Sequence, residues 1–142
     1  MRWVVGGARI PWIDAKLIAV QPSGKVLASV LNRAALILRY KQPFVDWINA
    51  VDPVGDSPDV TLADLDDERT VYLIEVEGTE ELAQWLSRHH EDIFEAELYG
   101  WYTDPSLWPR DRSLKKLTEW CSCELHTIVL DWGQSPIKAE DF

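Results

Sequence analysis

Ala34 to Tyr40 is a short, nearly continuous apolar run closed by Lys41-Gln42-Pro43, which predicts a mostly buried strand. Pro43 suits a first helical turn. Phe44, Trp47, Ile48 and Val51 then recur at i, i+3, i+4 and i+7, one face of a helix that Asp52-Pro53 stops. Val54 to Asp67 loses all periodicity and gathers Asp56, Asp59, Asp64, Asp66 and Asp67, the composition of a solvated connector. Val71 to Val76 has the β-branched and aromatic content of a second strand, and Gly78-Thr79 closes it with Thr79 as a helix N-cap.

Leu82, Trp85, Leu86 and His89 share a helical face, and Ile93, Phe94 and Leu98 form a further helical stretch. The pattern leaves open whether His90-Glu91 breaks or continues the helix. Gly100 to Arg112 reads as an aromatic loop. Leu114, Leu117 and Trp120 or Cys121 then space as a short helix begun by Asp111 or Ser113, and Glu124 to Trp132 predicts a third strand before a polar tail. The order strand, helix, strand, helices, strand, with separations too long for tight hairpins, implies an α+β domain with crossover connections. Three to four helices would cover a small sheet of three strands or slightly more.

Charge divides the chain at Asn32. Residues 1 to 30 carry Arg2, Arg9, Lys16 and Lys25 against Asp14, a net +3, whereas the whole chain carries −10 and residues 31 to 142 therefore about −13. The first segment has no strong periodicity: Val4-Val5 runs into Gly6-Gly7, Pro11 breaks the next run, and Gln21-Pro22-Ser23-Gly24 reads as a turn. Residues 1–31 are thus expected to be a leader, poorly ordered or a mis-assigned start, 32–133 a single domain, and 134–142 a tail. Arg9, Asp14 and Lys16 interrupt every window that a secretory signal would need, and no run approaches the roughly 20 apolar residues of a membrane span. Cys121 and Cys123 are too closely spaced for an unstrained bridge and read as free thiols, so the expected compartment is the cytoplasm.

The acidic balance opposes a phosphate backbone. Only Arg110, Arg112, Lys115 and Lys116 approach a basic cluster, so nucleic acid is not an expected partner, while a basic protein face is. Cys121, Cys123 and His126 supply zinc-ligand types at the wrong spacing, with no second cysteine pair. His89-His90-Glu91-Asp92 sets imidazole beside carboxylate as acid–base chemistry requires, yet a helix-boundary role accounts for it better. The aspartate-rich connector does not match a calcium loop. No catalytic, metal or cofactor assignment follows from these.

The stretch from Gly100 to Arg112 is more telling. Trp101, Tyr102, Asp104, Trp108, Arg110 and Arg112 combine the aromatic and arginine side chains favoured at binding hot spots with two stiffening prolines. The competing reading folds Trp101, Leu107 and Trp108 inward as a plug, with Arg110 or Arg112 stacked on a ring.

At NRAALILRYKQPFVDW, GWYTDPSLWPRDR and the closing strand with Asp131, the chain resembles a set of small bacterial proteins that carry no assigned function, over residues 32 to 132. The resemblance implies a bacterial domain beginning near Asn32 and transfers no ligand or catalytic residue. Three function classes are consistent with the residues. The first is an acidic protein-binding module, of inhibitor or antitoxin type, using the Trp/Arg loop. The second is a small hydrolase using His89, His90, Glu91, His126 and Asp131. The third is a self-associating structural protein, a homo-oligomer.

Overall fold

A computed structural model describes residues 4, 5, 8, 9, 23–55, 58–66 and 69–140. Most of the expected leader, with Asp56 and Asp67 of the connector and the last two residues of the tail, lies outside this set. The strands are β1 (Val4–Val5), β2 (Ala8–Arg9), β3 (Ser29–Val30), β4 (Ala34–Tyr40), β5 (Val71–Ile74), β6 (Cys121–His126) and β7 (Leu130–Asp131). The helices are α1 (Gln42–Val51), α2 (Leu62–Leu65), α3 (Thr79–Trp101) and α4 (Leu114–Trp120), with a 3₁₀ turn at Pro105–Leu107. The α+β class follows directly.

The principal sheet has the order β5-β4-β6, antiparallel throughout. Strand alternation divides it. Ala34, Leu36 and Leu38 of β4 point into the core with Ile74, Cys121 and Leu125, while Arg39, Val71 and Leu73 stand exposed on the other face. The buried apolar residues of the described helices, Val45 apart, join that one core, so the described helices pack on one face of the sheet.

Aromatic rings centre the core. Phe44 of α1 stacks on Tyr40 at 3.9 Å between ring centroids and meets Trp47, Phe94 of α3 and Trp120 of α4 within 6.5 Å. Phe44, Phe94, Leu36, Leu98 and Leu117 are fully buried. Five such side chains remove enough apolar area to stabilise the body by several kcal/mol, at about 2 kcal/mol each.

Four expectations change. The N-cap of α3 is Gly78 rather than Thr79, and the helix runs unbroken for 23 residues through His90-Glu91, where the pattern left a break open. The stretch read as bare connector contains α2, started by a capping box in which Thr61 and Asp64 satisfy each other's backbone N–H. The third strand begins at Cys121 and stops at His126, whose pairing with Ala35 ends the β4–β6 register. Leu130–Asp131 then pairs with Ser29–Val30 in a separate ribbon that Leu31 N–H extends by donating to Val129 O at 2.8 Å.

The fourth concerns connections. β4 and β5 are antiparallel, so α1 and α2 return the chain to the sheet end it left, with no crossover. Only the link from β5 through α3 and α4 to β6 crosses, because those two strands flank β4 in the same direction. The Ser23-Gly24 turn is present, with Gly24 at φ +84°, a conformation that glycine adopts without cost.

Candidate functional site: a furrow along the free edge of β5

The Trp/Arg loop closes over the helices. Trp101 Nε1 donates to Tyr40 Oη at 3.1 Å, Trp108 Nε1 to Tyr102 O at 2.7 Å, and Tyr102 Oη to Ile48 O at 2.5 Å. Arg112 pairs with Glu95 at 3.0 Å, donates to Pro109 O and lies 6.0 Å from the Trp108 ring centroid. Asp104 caps the 3₁₀ turn through Ser106 N–H, which holds its carboxyl below the usual range. Of the six residues singled out, Trp101, Tyr102, Trp108 and Arg112 are half-buried with their polar atoms engaged inside the molecule. Asp104 and Arg110 face solvent.

The imidazoles are dispersed. His126 Nε2 lies 3.0 Å from Glu124 on the open sheet face, and that contact depresses the Glu124 carboxyl. His89 lies against the Trp85 ring at 4.6 Å, and His90 Nδ1 is 2.9 Å from Leu86 O. Among the described residues no group of three or more His, Cys, Asp or Glu is placed to hold a metal. Burial pushes the thiols of Cys121 and Cys123 up, away from thiolate chemistry.

An apolar concavity lies elsewhere. β5 is an edge strand, and α3 runs beside it, leaving a furrow of about 440 Å³ lined by Val71–Ile74 on one side and Trp85, His89, Asp92, Ile93 and Ala96 on the other. Ala96 is also a wall of a second cleft, about 660 Å³, that continues past Thr70 and Arg69 to Tyr40, Glu97, Gly100 and Trp101. Each is within the size range of ordinary binding pockets.

The sequence builds this furrow simply. β5 has four residues and α3 has 23, and only the stretch of α3 from Trp85 to Ala96 lines the furrow beside the strand. Val71 and Leu73, about half exposed, stand on the outer side of the edge; Ile93 forms a buried floor on the inner side.

At the centre lies a polar network that sequence reasoning missed. Glu97, only 8 % exposed, accepts hydrogen bonds from Tyr40 Oη at 2.5 Å and Tyr72 Oη at 2.7 Å. Burial and the neighbouring carboxylate push both phenols above their ordinary range. The signal was present: Glu97 follows Ile93 by four and Phe94 by three, which places it on the apolar stripe of α3.

Carboxylates dominate the helix. α3 carries Glu80, Glu81, Glu91, Asp92, Glu95 and Glu97 against Arg88. No family model, curated protein or solved structure matches the chain. No described helix is long and apolar enough to cross a membrane.

Proposed function

We propose that this protein is an acidic protein-binding module whose partner presents a basic surface, and that the β5/α3 furrow is the contact. The observation that carries the reading is an apolar edge and groove flanked by a helix with six carboxylates and one arginine. An inhibitor or antitoxin type of role fits a small chain that works by covering a basic face. The Trp/Arg loop supports the site from behind, since Trp101 walls the lower cleft while its indole N–H is held by Tyr40.

A hydrolytic reading stays second because His89 and Asp92 line the same furrow. The remaining lining residues offer it no thiol or aliphatic hydroxyl, and the Tyr72 hydroxyl is engaged by Glu97.

The test is affinity capture from the native host's lysate with wild type and Ala96→Arg. Ala96 is exposed and shared by both clefts, so arginine there obstructs the furrow and reverses its local charge without entering the core. The expected outcome is a partner retained by wild type and lost by a variant with an unchanged thermal melt. Equal capture by both would remove the furrow from the reading.

A further inference from the structure

We infer that the furrow takes its partner by strand addition: an extended segment of another protein, apolar at alternate positions and carrying Lys or Arg, pairs with the free edge of β5. This deepens the binding-module reading and rests on it.

The backbone argues for an extended occupant. In an antiparallel pair, alternate residues turn their N–H and C=O towards the neighbour, and the intervening ones turn away. β5 pairs with β4 through Val71, Tyr72, Leu73 and Ile74, and no described residue meets its other edge. Those outward groups are a template for one more strand, and β5 carries neither the lysine nor the proline that commonly guards such an edge.

Side-chain directions fix the occupant's pattern. A strand added beside β5 alternates as β5 does. One row faces inward against Trp85, Ile93 and Ala96; the other lies outward beside Val71 and Leu73. The inward row therefore favours apolar residues over the roughly 14 Å that four residues span, while the outward row, beside the half-exposed Val71 and Leu73, admits polar ones. Asp92 in the furrow wall, and Asp64 in the wall of the lower cleft, supply the charge that a lysine or arginine at either end would meet.

Charge also selects against a second copy of this chain. Pairing β5 with its own equivalent would bring two copies of α3 together, each with the same excess of carboxylates. A helical ligand would fill the groove and leave the edge amides unmatched.

The test pans a phage-displayed library of 12-residue peptides against the full chain, with Ala96→Arg as the counter-target. The best peptide is then synthesised with single N-methyl groups at successive positions. Strand addition gives alternating apolar sequences with a basic residue, shifts of the Val71 to Ile74 amides, and cross-strand contacts to them by NMR. Its signature is parity: N-methylation at positions facing β5 weakens binding about tenfold or more, and at intervening positions leaves it unchanged. Peptides that bind as helices, or without parity, overturn strand addition while their loss in Ala96→Arg keeps the furrow as the binding surface. Enrichment of no peptide that discriminates wild type from Ala96→Arg overturns strand addition, and the lysate capture then decides separately whether the module binds a protein.

Discussion

Glu97 shows how one side chain ties three elements together. Its carboxylate lies in α3, one donor is Tyr40 at the end of β4, and the other is Tyr72 in β5. Replacing it with alanine orphans two buried hydroxyls and opens a gap, so Glu97→Ala should lose about 3 kcal/mol in urea unfolding. Tyr72→Phe, which removes one donor and leaves the ring, should lose about 1 kcal/mol. The same groups set an alkaline limit. The folded pKa values of Cys121, Tyr40 and Tyr72 are raised above unfolded values of 9.0 for the thiol and 10.0 for the phenols. Their contribution is therefore complete below pH 9 and is lost as the unfolded chain ionises while the folded one stays neutral. Thermal melts between pH 8 and 11 should show stability falling from about pH 9, with a shallower fall in Tyr72→Phe.

At the scale of elements, one side chain of α1 ties the connector to the body alongside the packing of Val60 and Leu65. Asn49 of α1 donates to Val60 O and accepts from Val60 N–H, both at 2.9 Å, so its amide stands in for a neighbouring strand. Asn49→Ala should cost about 1–2 kcal/mol and speed hydrogen exchange at Val60 without altering the core rings. Much of this level was legible in the chain. The 3.6 rhythm of Phe44, Trp47 and Ile48 and the apolar run of β4 gave those elements correctly, because burial and periodicity coincide there. α2 was not read, since five aspartates overwhelmed the short Thr61 to Asp64 capping signal. The end of β6 was not legible either, because it is set by the register with β4, a fact of pairing that no local pattern carries. The furrow escaped for the same reason: strand order alone makes β5 an edge, whereas the eye-catching aromatic loop is a local feature.

For the whole molecule, a net charge of −10 combined with the described helices on one sheet face separates two surfaces of different character. The open face carries its own ion pairs, Arg33 with Glu75 at 3.1 Å and Arg39 with Glu124 at 3.2 Å, which cancel locally. The helical side keeps its excess of carboxylates. Association with a basic partner should therefore be strongly salt-sensitive: affinity measured by calorimetry is expected to fall about tenfold between 50 and 500 mM salt, mostly through a slower association rate. A purely apolar contact would leave affinity unchanged or improve it.

The ribbon between Ser29–Val30 and Leu130–Asp131 has a mechanical consequence. Ser29 and Asp131 stand directly opposite one another at one end of it. Tension applied to the segments beyond them loads the ribbon's hydrogen bonds one at a time. The next pair in line, Ala35 opposite His126, then opens in the same way, from the end inwards. Such a ribbon peels rather than shears, so a pull across Ser29 and Asp131 opens it at low force.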